Sequence, residues 1–224
     1  MSMGIARLAD GQPSEPKRRD GRALLLDGAR QLLAEKGYAG MELRDVAERG
    51  KAPRGSIYHH FPGGKVQLAR EAAELEGTTI REMIERSLDE RGLKETLAMF
   101  GEIFRRRVAD HPERIGCPVA AAALARPEDP ALAVVATAAF QSWERPIAAA
   151  LRDEGIGADD AETFAGLVVS TIEGALLRAR AAGSQAPLDS AIDGLGLALD
   201  DLLATRASSG QATGRSEPTG TLPG

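Results

Sequence analysis

Apolar residues recur at helical spacing along almost the whole chain, which predicts an all-helical protein. In residues 20–36 they follow the i, i+3, i+4, i+7 spacing of an amphipathic helix, at Leu25, Leu26, Ala29, Leu32 and Leu33. Asp20 suits the N-cap of this helix, and Gly37 suits its end. Glycine and proline breaks divide the rest into further helices, predicted at 42–49, 54–60, 65–86, 92–109, 117–125, 130–153, 158–182 and 188–205. The pattern predicts about nine helices and contains no convincing strand.

The second and third predicted helices form a compact pair. Residues 42–49 and 54–60 are joined by about four residues, Gly50-Lys51-Ala52-Pro53, which break the helical pattern. Ile57 and Phe61 are the apolar side chains of the second helix, and we expect both to turn inward. Two short helices joined in this way form a helix-turn-helix, whose second helix can enter the major groove of DNA.

The second helix of this pair is rich in side chains that suit a nucleic-acid surface. They are Arg54, Ser56, Tyr58, His59 and His60, and Gly55 among them lets the backbone approach a ligand closely. Lys65 opens the next helix, where backbone N–H groups also favour a phosphate. The plainer interpretation is a helical hairpin whose Tyr and His side chains cap a core. We favour a recognition helix, because so many polar and aromatic groups on one short exposed segment serve no packing purpose.

Charge is unevenly distributed along the chain. The whole chain has 28 Lys and Arg against 33 Asp and Glu, a net charge of −5, which by itself argues against a nucleic-acid partner. Residues 17–65, however, have a net charge of +5, and residues 66–224 have a net charge of −9. A basic N-terminal unit on an acidic body is typical of a DNA-binding module with a separate regulatory domain. Charge alone leaves the question open, because it fluctuates between segments of any soluble protein.

The helix-turn-helix segment resembles a known family. The residues that carry the resemblance to the DNA-binding domain of the tetracycline-repressor (TetR) family are Gly37-Tyr38-Ala39-Gly40, Leu43-Arg44-Asp45-Val46-Ala47, Ala52-Pro53-Arg54-Gly55 and, most specifically, Ser56-Ile57-Tyr58-His59-His60-Phe61-Pro62-Gly63-Gly64-Lys65. In the body, Gly116-Cys117-Pro118-Val119-Ala120 is similar to the LmrA/YxaF-like branch. The resemblance covers about residues 20–70 strongly, and over 90–205 it rests on this patch and the helix layout.

The resemblance implies a function and a set of DNA contacts. It implies an all-helical homodimeric repressor that binds a palindromic operator through its first three helices and the start of the fourth. Tyr58 would contact a phosphate or a thymine methyl group, and His60 and Lys65 would each contact a phosphate. The complete predicted DNA-binding set is Arg44, Lys51, Arg54, Gly55, Ser56, Tyr58, His59, His60 and Lys65.

Two positions depart from the family's pattern. Met41-Glu42 stands where the family usually has a Thr or Ser cap on its second helix, which removes a cap worth about 1 kcal/mol. Gly50-Lys51-Ala52 replaces the usual Ala-Gly-Val turn. Lys51 is therefore expected where glycine with positive φ is favoured, at a cost of about 1 kcal/mol, unless the turn re-forms around Gly50.

The region 90–205 predicts an apolar ligand pocket. Four of the five Phe residues and the only Trp lie at 100–164. Aromatic residues at helical spacing are usually plain core, but their concentration in a chain so poor in them favours a pocket. The predicted lining is Phe100, Ile103, Phe104, Cys117, Phe140, Trp143 and Ile147. We expect Cys117 to be a small buried hydrophobe and not a thiol sensor, because no Lys, His or second Cys is adjacent.

The last two predicted helices offer a dimer interface. Its predicted residues are Leu167, Thr171, Ala175, Leu195, Leu199 and Leu202, and the glycines that would let helices approach closely are Gly166, Gly174, Gly194 and Gly196. The alternative is that these residues pack within one chain, and the sequence does not separate the two. Operator binding favours the dimer, because one recognition helix reads too few base pairs for useful specificity.

Several classes of protein and site are disfavoured. Gly63-Gly64-Lys65-Val66 lacks the other residues of a phosphate-binding loop, and no Gly-x-Ser-x-Gly nucleophile turn occurs. The histidines and Cys117 are spaced wrongly for common metal sites. We therefore expect no catalysis, metal or cofactor. With one cysteine, no signal-peptide pattern and no apolar run of membrane-spanning length, a cytoplasmic protein is expected.

Together these features predict four segments and one main function. The segments are a disordered tail at 1–17, a DNA-binding domain at 18–65, a ligand-binding and dimerisation domain at 66–205 and a second disordered tail at 206–224. The predicted function is a transcriptional repressor that a small apolar or aromatic effector releases from DNA. The alternative is a helical ligand-binding or scaffold protein of the same fold that does not regulate transcription.

Overall fold

The computed structural model describes residues 20–110 and 116–213, without the side chains of Arg54 and of residues 107–110 and 207–213. Within these ranges it has a short 3-10 turn at Arg54–Ser56, no strand, and nine α-helices. The helices are α1 (Gly21–Gly40), α2 (Leu43–Arg49), α3 (Ile57–His60), α4 (Gly64–Arg91), α5 (Leu93–Asp110), α6 (Pro118–Leu124), α7 (Pro130–Asp153), α8 (Ala158–Ala182) and α9 (Ala186–Thr213). The predicted all-helical fold is confirmed. None of the described helices is both long and apolar enough to cross a membrane.

Three helices are longer than the pattern predicts. α1 runs to Gly40, but Gly37, with a non-helical φ of +69°, divides it into two helical segments at the predicted end. α4 runs on to Arg91, where Gly92 ends it with a φ of +83°. α9 ends at Thr213, eight residues beyond the end at 205 predicted for this helix. The reason is that elongating a formed helix is easy, and no proline interrupts this one before Pro218. The predicted tail at 1–17 and residues 214–224 lie outside the described residues.

Helix caps explain where several helices begin. The Asp20 carboxylate accepts a hydrogen bond from the backbone N–H of Arg22 at 3.3 Å, as expected for the N-cap of α1. Asp129 caps α7 in the same way, and Pro130 follows it in the first turn. In contrast, α2 begins at Leu43, and its N-cap residue Glu42 makes no side-chain cap hydrogen bond, which confirms the departure predicted there.

α4 connects the two halves of the molecule. We call α1–α3 the head and α4–α9 the body. α4 contacts α1 of the head and α5, α6 and α7 of the body, while α8 packs between α7 and α9. One cluster of buried apolar side chains extends from Leu25 of α1 to Leu199 of α9. The head and the body therefore share a continuous core, and a shift of a body helix can reach the head through direct packing.

Several arginines add polar contacts between the head and the body, and two of them involve different body helices. Arg30 of α1 donates from Nε to the carboxylate of Glu76 on α4 at 2.7 Å. Arg180 of α8 donates to the backbone carbonyl oxygen of Ala34 at 2.8 Å, and it also donates to that of Glu35. Both contacts fall on α1, so two different body helices hold the same helix of the head.

Candidate DNA-binding interface and ligand pocket

The head is built around a close approach of α1 and α2. A Cβ on Gly28 would lie 2.6 Å from a backbone oxygen of α2, and a Cβ on Gly50 would lie 2.3 Å from a backbone oxygen of α1. No side chain fits at either place, so both glycines are required for this packing. Ile57 and Phe61 are 3% and 0% exposed, which confirms that they turn inward. This core fixes which face of α3 points outward.

The turn between α2 and α3 has the strain that the sequence predicts. Lys51 has a φ of +53°, and it is the only non-glycine residue with positive φ in the described ranges. Gly50 keeps an ordinary φ of −75°, because the turn does not re-form around it. The backbone N–H of Ala52 donates to the carbonyl oxygen of Ala47 at 2.9 Å, which closes the turn. The Lys51 side chain is exposed at this turn, so a ligand outside the head can reach it.

Three residues form an open surface beside this turn. Tyr58 has 67% of its surface exposed, and His59 and Gly55 are exposed as well. Apart from its two neighbours in the chain, no described residue has an atom within 4 Å of the place where a Cβ on Gly55 would stand. We call Gly55, Tyr58 and His59 the recognition surface. Its side chains can reach a ligand without disturbing the core beneath them.

Two further predicted DNA contacts already have partners within the head. The Ser56 hydroxyl donates to the carbonyl oxygen of Pro53 at 2.6 Å. His60 is partly buried, with its ring edge-on to that of Phe61. The side chain of Arg54 lies outside the described part of the structure.

Two more predicted DNA contacts, Arg44 and Lys65, have different environments. Arg44 is exposed and weakly paired with Asp45, at 3.4 Å. The Lys65 ammonium donates to the carbonyl oxygen of Ala39 at 3.2 Å and lies 4.8 Å from the centre of the Tyr38 ring. Lys65 therefore supports the end of α1 in this structure, although its ammonium has two further N–H groups that could reach a phosphate.

The body contains two small neighbouring cavities, which we call the inner cavities. One has a volume of about 40 Å³ and is lined by Phe100, Phe104, Trp143 and Ile147 among others. The second has a volume of about 30 Å³ and is lined by Ile103 and Cys117 together with the same two Phe rings. Six of the seven predicted pocket residues are thus brought together. Phe140 lies outside, with its ring edge-on to that of Trp143 at 5.2 Å.

Sequence reasoning missed the carboxylates of the inner cavities. Glu173 of α8 lines both of them, and Glu76 of α4 lines the smaller one. A signal was present in the sequence, because Glu173 lies four residues after Val169 and three before Leu176, on the apolar face of its helix. A charged residue inside an apolar stripe is either paired or functional more often than it is accidental.

The electrostatics of this site follow from burial. Burial raises the pKa of the Glu173 carboxyl to about 7, and the nearby Glu76 carboxylate adds to the rise. Burial also raises the pKa of the Cys117 thiol well above its usual value, and the Glu173 carboxylate acts in the same direction. Since the thiolate is the reactive form, Cys117, which is partly buried, has the properties of an unreactive small hydrophobe.

The predicted dimer residues divide into two groups. Ala175, Leu195 and Leu199 are 3%, 3% and 2% exposed within the single chain. They offer no surface to a second chain, so this part of the prediction is corrected: they face the core of their own protomer. Leu167 is exposed, and Thr171 and Leu202 are partly buried. The four predicted glycines have open space where a Cβ would stand; they are Gly166, Gly174, Gly194 and Gly196.

Among the residues that the structure describes, no three His, Cys, Asp or Glu side chains group together in a way that could hold a metal ion.

Two family profiles match the two halves of the chain. The profile described as "Bacterial regulatory proteins, tetR family" matches residues 25–72. The profile described as "Transcriptional regulator LmrA/YxaF-like, C-terminal domain" matches residues 94–193.

Curated relatives and solved structures match over most of the chain. An uncharacterised HTH-type transcriptional regulator of Mycobacterium tuberculosis is 35% identical over 175 residues, covering 75% of this chain and 88% of that protein. The regulator YxaF of Bacillus subtilis is 31% identical, covering 76% of this chain and 91% of that protein. The crystal structure of a TetR transcriptional regulator from Legionella pneumophila has a TM-score of 0.73 at 19% identity, covering 82% of this chain and 99% of that chain. The last likeness shows the fold.

Proposed function

The chain belongs to the TetR family of transcriptional regulators, in its LmrA/YxaF-like branch, and on that premise we propose that it is a repressor that a small molecule releases from DNA. The observation that carries the proposal is the recognition surface, where Tyr58 and His59 are exposed over a core that orients them. A cytoplasmic location and the absence of any catalytic step are parts of the same proposal.

The head supports docking in a major groove. α3 and the preceding 3-10 turn present the recognition surface, and exposed cations lie on α2, at Arg44, and in the turn that follows it, at Lys51. Aromatic and imidazole groups reach base edges and phosphates, while cationic side chains bind phosphates at any sequence. The net charge of +5 over residues 17–65 adds a favourable field for DNA despite the acidic body.

The exposed faces of α8 and α9 support a homodimer. Leu167 and Leu177 on α8 and Leu197 on α9 are large apolar side chains left exposed in the single chain. Gly174 and Gly194 on the same helices have open space around them, so a second pair of helices could approach closely. Leu177 and Leu197 replace the buried leucines predicted from the sequence. A two-fold dimer would place two recognition surfaces on one palindromic operator.

Ligand response would use the connections between body and head. α8 carries Glu173 in the inner cavities and Arg180 on the carbonyl oxygens of α1, seven residues apart and therefore on the same side of the helix. An occupant that displaces α8 would alter the grip of Arg180 on α1. The two recognition helices must lie about 34 Å apart to share one face of the duplex, so a shift of a few Å would prevent both from docking.

The proposal is tested by replacing Tyr58 and measuring DNA binding. The binding partner in the assay is DNA from upstream of the gene that encodes the protein. Its affinity is compared with that of unrelated DNA at several salt concentrations. Tyr58→Ala should weaken specific binding by about tenfold, because one base or phosphate contact contributes roughly 1–3 kcal/mol. Its thermal unfolding should stay unchanged, because the side chain is mostly exposed. Val134→Ala, at an equally exposed position on α7, is the matched control and should bind like the parent protein.

Two outcomes would count against the proposal. If the parent protein forms no salt-sensitive, sequence-preferring complex, a ligand-binding or scaffold protein of the same fold becomes the better description. If Tyr58→Ala unfolds the protein, the residue belongs to the core and the outward face of α3 is assigned wrongly.

A further inference from the structure

Glu173 is the ionisable side chain shared by the two inner cavities. It projects from α8 into both of them, and it also lines a third space of about 130 Å³ where α6 and α8 meet the end of α1. The carboxyl therefore stands where the apolar interior of the body meets the head. An occupant of any of these three spaces would contact it.

The carboxylate of Glu173 has no positive partner in the described part of the chain. No described Lys, Arg or His side chain lies within 4 Å of it, and none lines either inner cavity. Glu76 differs in this respect, because Arg30 pairs with it directly. A carboxylate partly withdrawn from water, with a thiol as its hydrogen-bond partner, is unfavourable, and a cation placed beside it reduces that penalty.

The walls around Glu173 suit a particular kind of cation. Phe100, Phe104 and Trp143 line the larger inner cavity, and aromatic faces attract ammonium groups. The remaining lining is aliphatic, from residues such as Ile80, Ile147 and Val168, and it suits an apolar body. Two carboxylates at the smaller cavity would repel an anionic molecule of the same shape.

We infer that the effector of this protein is an organic cation, whose positive group pairs with Glu173 and whose apolar body packs against Phe100 and Trp143. The inference rests on the proposed ligand response and names its chemical class. A volume of about 40 Å³ holds only a few water molecules, so the occupant enters by displacing the side chains that close the cavity. Such displacement acts on α8, which also carries the contact with α1.

The pH dependence of binding should follow the ionisation of Glu173. With a pKa of about 7, roughly a tenth of the carboxyl is ionised at pH 6 and about nine-tenths at pH 8. The ionisable groups around it are Glu76 of α4, already paired with Arg30, the Cys117 thiol, whose pKa lies well above this range, and Arg180, which lines the third space and donates to the carbonyl oxygen of Ala34. A permanently charged ligand should therefore bind several-fold more tightly at pH 8 than at pH 6.

The test compares three benzyl compounds of different charge in the full-length protein. They are benzyltrimethylammonium, the uncharged isostere neopentylbenzene and the anion phenylacetate. The only tryptophan, Trp143, lines the larger inner cavity, so its fluorescence reports occupancy independently of DNA. At pH 8 we expect the cation to bind at least about tenfold more tightly than the uncharged probe, and the anion to bind least.

Two variants separate the role of Glu173 from a general effect of charge. Glu173→Gln should remove both the preference for the cation and its pH dependence, while affinity for neopentylbenzene stays within about twofold. Glu162→Gln changes an exposed carboxylate on the same helix and should leave the preference intact. Circular dichroism and thermal unfolding confirm that each variant is folded.

The outcomes distinguish this inference from the proposed function. If neopentylbenzene binds as tightly as the cation, or if Glu173→Gln keeps the preference, the cation assignment is wrong while the ligand response can stand. If none of the probes changes the fluorescence of Trp143, the assignment is wrong as well. If the parent protein does not bind operator DNA, the proposed function is contradicted instead, and DNA binding is measured in a separate assay.

Discussion

In the head, the recognition surface and the side chains that form the core point in opposite directions. Tyr58 is mostly exposed, while its neighbour Ile57 is buried. In the body, by contrast, the side chains that line the inner cavities are also members of the apolar core, as Phe100 and Trp143 are. A surface site can therefore change with little effect on stability, whereas a site inside the core cannot.

This difference explains why one site could be read from the sequence in more detail than the other. Near a short helix whose core positions are Ile57 and Phe61, the remaining polar and aromatic residues have no packing role, so the sequence indicates a binding surface. In the body, an aromatic residue that lines a cavity and one that fills the core have the same spacing. Phe140 is an example: the sequence predicts it as a pocket residue, but it packs beside Trp143 and does not line the larger inner cavity.

The largest effect that tests the comparison comes from Phe100. Phe100→Ala should destabilise the protein by about 3 kcal/mol, because a buried aromatic side chain is lost from a core position. The free energy of unfolding in urea measures the change, with Tyr58→Ala as the head counterpart, expected within about 0.5 kcal/mol. Similar losses for both variants would remove the distinction between the two sites.

A smaller effect comes from the charge inside the pocket. The raised pKa of Glu173 means that the folded state favours the neutral carboxyl, so stability is complete below the unfolded pKa and is lost as pH rises toward and past 7. Glu173→Gln cannot ionise and should be more stable than the parent protein at pH 8, by on the order of 2 kcal/mol, and nearly equal at pH 4. Denaturant unfolding at the two pH values measures this difference. A constant difference between parent and variant across this range would show that Glu173 does not titrate as described.

The smallest effect tests whether Lys51, which has a strained backbone conformation, also contributes to DNA binding. Lys51→Gly should stabilise the protein by about 1 kcal/mol, because glycine adopts the positive φ at this position without a steric penalty. The same change removes an exposed cation, so the salt dependence of DNA binding should fall by about one counterion. Lys51→Ala is the control, since it loses the charge but keeps the strain. If Lys51→Gly binds DNA as strongly as the parent protein, Lys51 contributes nothing to the interface.

The sequence alone determined the fold class and the location of the helix-turn-helix. Helical spacing, glycine and proline breaks and caps such as Asp20 are local properties, and they act in the same way wherever the segment lies. The strain at Lys51 was also predictable, because it depends on the turn and its residues alone.

The tertiary structure decided which faces are exposed and which charges meet. Leucines lie on more than one face of α9, so the spacing in the sequence does not show which face is buried. The packing shows that Leu195 and Leu199 are buried and that Leu197 is exposed. Glu76 pairs with Arg30 of α1, whereas Glu173 lines an apolar cavity and has the Cys117 thiol, not a cation, as its partner in the described chain. These outcomes depend on residues far apart in sequence, and the free energy of burying a charge depends on what surrounds it.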